Sequence, residues 1–141
     1  MIAYFDTSSV IPLIIDEPSS DICTRLWNDA SRIMSIRLLY PEGRAALARA
    51  ERMGRITRAQ LAAAVAELDS IVEEVDHIEV TAQLTHTAGE LAQAHGLRGY
   101  DAVHLAAAIA AADHDLVFAT GDVALATSAT SLGIAVAVTK P

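Results

Sequence analysis

Along the chain, short apolar runs alternate with longer stretches in which apolar residues recur every three or four positions. Ile2 to Phe5 is the first short run, closed by Asp6, and reads as a buried strand. Ser19, Ser20 and Asp21 offer N-caps for a helix running to about Asp29. Ile33 to Ile36 is a second strand, followed by a helix from about Leu38 to Met53 that Gly54 closes. Thr57 and Gln60 form a capping box, after which Leu61, Val65, Leu68, Val72 and Val75 mark one helical face. Ile78 and Val80 suggest a third strand or an extended connector. Helices follow from about Ala82 to His95, stopped by Gly96, and from about Tyr100 to Ala112, the latter apolar nearly all round. Leu116 to Ala119 is a further strand, Val123 to Leu132 a helix ended by Gly133, and Ile134 to Val138 a last strand. Strand and helix in alternation with short connections predict a parallel sheet covered on both faces, an α/β/α sandwich.

Composition narrows this picture. At 141 residues the chain fits one domain, 1–141, since single domains run about 100–200 residues. Hydrophobic residues reach 52% and aromatic ones only 4%, so the core is to be built from closely packed, alanine-rich helices. One cysteine, Cys23, excludes an intrachain disulfide and reads as a small buried apolar residue. The N-terminus has no basic region, and the longest apolar run, Leu105 to Ala112, is far short of the ~20 residues of a membrane span. A cytoplasmic protein is expected.

A net charge of −8 argues against a nonspecific nucleic-acid binder, which needs surface cations to neutralise phosphates, unless some acids face a metal. Arg25, Arg32, Arg37, Arg44, Arg49, Arg52, Arg55 and Arg58 concentrate positive charge in the first half, consistent with a phosphate-facing side. His77, His86, His95 and His104 recur every nine residues, with His114 nearby. Nine helical residues turn a side chain to roughly the opposite face, so these are read as separate surface or cap residues.

In an open α/β sheet, ligands bind beyond the carboxyl ends of the strands. Asp6 closes the first strand and Asp122 follows the Leu116 strand; Glu42 lies early in the helix after the second strand, and Asp101 opens the helix near Gly99. Each has a plainer role available: Asp6 as the cap of a turn in Asp-Thr-Ser-Ser, Asp101 and Asp122 as N-terminal helix acids, Glu42 as a solvated residue. Gathered at one rim, they would need a cation or raised pKa values, because two carboxylates ~4 Å apart repel by ~4 kcal/mol at an effective dielectric of 20. An oxygen-only set suits Mg²⁺ or Mn²⁺ rather than Zn²⁺.

The segments Tyr4-Phe5-Asp6-Thr7-Ser8, Leu39-Tyr40-Pro41-Glu42, Gly99 to Ala106 with Asp101, and Phe118-Ala119-Thr120-Gly121-Asp122 form an ordered set. In this the chain resembles PIN-domain ribonucleases, particularly VapC-type toxins, over nearly its whole length. The resemblance implies a PIN-type fold and metal-site roles for Asp6, Glu42, Asp101 and Asp122, with supporting hydroxyls from Ser8 and Thr120. It further implies Mg²⁺ or Mn²⁺, RNA cleavage, a homodimer and a small cognate antitoxin. In the division of labour expected here, Asp6 and Asp101 are the main ligands, while Glu42 and Asp122 orient water or hold a second ion. A response-regulator receiver needs an acidic pair after the first strand and a late lysine, yet the only lysine is Lys140. A phosphatase of the Asp-x-Asp-x-Thr type needs an acid where Ser8 stands. The rival from another class is a non-catalytic PIN-fold module that binds a protein partner.

Overall fold

The computed structural model describes residues 1–112 and 114–140. Five parallel strands form one sheet in the order β3-β2-β1-β4-β5: β1 Ile2–Phe5, β2 Arg32–Ile36, β3 Asp76–Ile78, β4 Leu116–Thr120 and β5 Ala135–Val138. The helices are α1 Thr7–Val10, α2 Ser20–Asp29, α3 Leu39–Arg52, α4 Arg58–Glu74, α5 Ala82–His95, α6 Gly99–Ala110 and α7 Val123–Ser131, with a 3-10 turn at Ile11–Leu13. The chain winds outward from β1 through β2 to β3, then returns to the other side of β1 for β4. The strand order therefore reverses between β1 and β4, and the crevice at their carboxyl ends is where such sheets bind ligands.

Side-chain alternation along β1 sets up the layers. Ala3 and Phe5 enter one core with Leu39, Leu47 and Leu68 of α3 and α4, and Trp27 of α2 packs edge-on against Phe5 at 5.5 Å. Tyr4 faces the opposite core with Phe118, Leu105, Leu125 and the alanines of α6. Burial on both faces explains why these strands read as unbroken apolar runs. Close helix contact depends on Gly43, where a Cβ would stand 2.9 Å from Leu68 Cδ2. The Thr57–Gln60 capping box forms as expected, and Gly54, Gly96 and Gly133 take positive φ after their helices.

Two elements escaped the sequence pattern. The α1 helix and the 3-10 turn occupy the segment after Asp6, where no periodic run marks a helix; α1 has only four residues and Pro12 sits in the turn's first positions. Ser19 occupies the N-cap of α2 without a side-chain cap bond, while the Ser20 hydroxyl accepts from Glu17 N and donates to Ile15 O. Cys23 is fully buried. Among the described residues, no helix is long and apolar enough to cross a membrane.

Candidate active site

Asp6 sits where β1 gives way to α1, at the switch point. Its backbone N–H continues the sheet by donating to Ala119 O, and its carboxylate caps α1 by accepting from Ser9 N at 3.1 Å. The same Oδ1 accepts from Ser8 Oγ at 2.6 Å, and Oδ2 accepts from Thr120 Oγ1 at 2.5 Å. Both hydroxyls reach further, Ser8 Oγ accepting from Gly121 N and Thr120 Oγ1 from Asp122 N. Thus Ser8 and Thr120 tie the end of β1 to the end of β4 through Asp6. The carboxylate is buried with no cation bonded to it. Burial pushes its pKa above the ordinary aspartate range, opposed by the charge of His104 and the bonds from Ser8, Thr120 and Ser9.

Glu42 lies in the first turn of α3, and its Oε1 accepts from Thr7 Oγ1 at 3.1 Å and from His104 Nε2 at 2.8 Å. His104 Nε2 donates to Glu42 in either protonation state, while Nδ1, 2.8 Å from the Tyr4 hydroxyl, accepts from it when the ring is neutral and donates to it when the ring is protonated. His104 is only 3% exposed, so its reading as a surface or cap residue is wrong. The nine-residue spacing excluded pairing between histidines on one helix; it said nothing about an acid on another helix. A usable signal was present, since Asp101 and His104 stand three apart on α6 and share a face. Burial works most strongly against charge on His104, yet the Glu42 bond and the charges of Asp6, Glu42 and Asp101 outweigh it and raise the pKa.

The remaining two acids lie at the open rim. Asp101, in the first turn of α6, accepts from Arg98 Nε at 3.0 Å, and Asp122 stands 3.7 Å from the same guanidinium. Asp122 also caps α7 by accepting from Leu125 N at 3.0 Å. Capping and rim placement therefore coincide at Asp6 and Asp122, while Asp101 does not cap: the N-cap of α6 is Arg98. Arg98, Thr7 and His104 were absent from the expected set, although all three touch it.

All four expected acids belong to one connected rim, but each is individually paired. Among the described residues, no three His, Cys, Asp or Glu side chains converge closely enough to hold an ion as they stand. Tight convergence of the four carboxylates is thus not found. The donor chemistry still fits a hard divalent ion. Arg98 supplies positive charge to Asp101 and Asp122, and His104 supplies it to Glu42. Asp6, the most buried of the four, is held by neutral hydroxyls and an amide alone.

The PIN domain family profile matches residues 3–130, and the chain belongs to that family. Among relatives, it is 42% identical over 136 residues to Ribonuclease VapC45 of Mycobacterium tuberculosis (strain CDC 1551 / Oshkosh), covering 96% of this chain and 94% of that protein. The fold is shared with PAE2754 from Pyrobaculum aerophilum at TM-score 0.71 and 21% identity, over 98% of this chain and 84% of that one. A chain of a toxin–antitoxin complex from Klebsiella pneumoniae superposes at TM-score 0.61 and 18% identity, over 85% of this chain and 86% of its own. These agree with the parallel α/β/α architecture of PIN-domain type.

Proposed function

We propose that this protein is an endoribonuclease that hydrolyses RNA phosphodiester bonds with Mg²⁺ or Mn²⁺, and that it is the toxin of a toxin–antitoxin pair. The observation that carries the reading is Asp6: a carboxylate buried at the switch point, clad in hydroxyls and without a cation of its own. The similarity to a VapC ribonuclease over nearly the whole of both chains supports the substrate.

In this reading Asp6 and Asp101 hold the ion, with Glu42 and Asp122 beside them. A bound divalent ion supplies a water of lowered pKa and positive charge against the phosphate. The chain's own groups do the rest. Ser8 and Thr120 fix the Asp6 carboxylate from both sides, so that neither oxygen swings away. Thr7 and His104 hold one oxygen of Glu42, leaving the other to orient the attacking water. Arg98 bridges Asp101 and Asp122, and where those acids held an ion its guanidinium would be available to pair with the phosphate.

As a toxin the protein acts in the cytoplasm as a homodimer and is silenced by a small antitoxin. An antitoxin helix would dock between the segments Ile22–Trp27 and Leu61–Val72, where Leu26, Trp27, Leu61, Val65 and Val72 are only partly buried. An arginine from that partner would do to Asp6 and Glu42 what Arg98 does to Asp101 and Asp122.

The test is cleavage of RNA by the pure protein. EDTA should abolish it, and Mg²⁺ or Mn²⁺ should restore it. Metal-free cleavage would overturn the mechanism, and no cleavage under any ion would favour the non-catalytic interaction module. Expression alone should arrest growth, and co-expression with the neighbouring small gene should relieve it.

A further inference from the structure

Beside Glu42 runs a cleft of about 710 Å³. Thr7, Ser8 and Glu42 line its acidic end, Pro41 and the alanines of α3 its floor, and Arg49, Arg98 and Tyr100 its outer rim. The rim differs from the rest of the surface in two ways. Arg32, Arg37, Arg55 and Arg44 are spent on Asp76, Glu79, Glu17 and the Tyr40 hydroxyl, and Arg25, Arg52 and Arg58, which have no such partner, do not line the cleft. Arg49 has no such bond. It lies seven residues after Glu42 on α3, which puts it on the same helical face and about 10 Å further along the axis. Tyr100 is the second feature. It is 64% exposed, the most of any large apolar side chain among the described residues, and it lines the cleft one residue before Asp101.

A free guanidinium, an exposed aromatic ring and an apolar floor are the elements of single-strand recognition: the cation tracks the backbone and the ring offers a stacking face. In a chain of net charge −8, cations beside the acids favour a polyanion at this rim. We propose that this cleft seats single-stranded RNA, with a base stacked on Tyr100 and Arg49 paired to a phosphate neighbouring the one cleaved at Glu42. This rests on the ribonuclease reading and adds to it the strand's path across the surface.

Two readouts test it, using a fluorescein-labelled single-stranded oligoribonucleotide of mixed sequence, about a dozen nucleotides long. Binding is followed by anisotropy in EDTA, and KM and kcat for cleavage are measured in Mg²⁺. Tyr100→Ala should weaken binding or raise KM about tenfold with little change in salt dependence, and Tyr100→Phe should restore it. Arg49→Gln should weaken binding and lower the slope of log affinity against log salt by about 0.7, the value for one phosphate on a single strand. Both side chains are exposed, and unchanged thermal melts will show that the variants fold. If wild type cleaves RNA but neither variant shifts affinity, KM or salt slope, the proposed path is wrong while the ribonuclease reading stands. The same holds if either variant instead loses only the binding of a partner protein. If wild type neither binds nor cleaves, both fall together.

Discussion

The rim has an inner and an outer half, and they are built on opposite terms. Asp6 and the Glu42–His104–Tyr4 relay are held by several short bonds, those from Thr120, His104 and Tyr4 coming from buried groups. Asp101 and Asp122 are half-buried like Glu42, but the one arginine they share has a side chain that is 82% exposed, against 3% for His104. Buried polar groups must be satisfied or they destabilise the fold, so the inner half is fixed before any ligand arrives. An exposed ion pair contributes at most about 1 kcal/mol and exchanges readily. The contrast separates acids held by buried partners from acids held by one exposed arginine.

The largest effect should come from the inner half. Asp6→Asn should lower RNA cleavage by about two orders of magnitude or more, as removal of a key electrostatic group does. Stability should move the other way. The folded pKa of Asp6 lies above its unfolded value, so ionisation at neutral pH disfavours the fold. In EDTA, Asp6→Asn should melt at or above the wild-type temperature at pH 7. That advantage should shrink as pH falls through the folded pKa toward 3.8, where wild type takes up its proton. A variant that melts lower at pH 7 and gains nothing over acidified wild type would erase the contrast.

Next is His104. Removing it as His104→Ala strands the buried Tyr4 hydroxyl and frees Glu42, at a cost of about 3 kcal/mol by denaturant titration. His104→Gln, which can keep one bond, should lose less. The sign with pH follows from the raised folded pKa. The contribution of His104 is complete below its ordinary value of 6.5 and is lost as pH rises through the folded value. Wild type should therefore lose stability on that alkaline side, and His104→Gln should not show this decline.

The smallest structural effect belongs to the outer half. Asp101→Asn should change stability by no more than about 1 kcal/mol, yet cleavage should collapse. Should it unfold the protein while specific activity persists, Asp101 is a helix-terminal acid and nothing more.

Most of the fold was legible because both periodicities are strong: buried strands give unbroken runs and helices end at glycines with positive φ. The helix expected from about Ala82 to His95 spans those residues, ended by Gly96 as the sequence suggests and capped by Thr81, which the pattern did not single out. Alpha1 was not legible, being a single turn that Asp6 nucleates through a side-chain bond. Within the rim, strand-end position located the acids, and the hydroxyls of Ser8 and Thr120 do meet Asp6. Their partners were hidden for a different reason. Arg98 meets Asp122 across 24 residues and His104 meets Glu42 across 62, separations that periodicity does not see.

The most direct measurement is calorimetric titration of Mn²⁺ into the metal-free protein and into Asp6→Asn. Wild type should bind with a saturating heat and Asp6→Asn should give none, because the one rim carboxylate without a cation is the one the ion must satisfy. Equal heats from the two proteins, or no binding by either, would contradict the assignment of this rim as a divalent-ion centre.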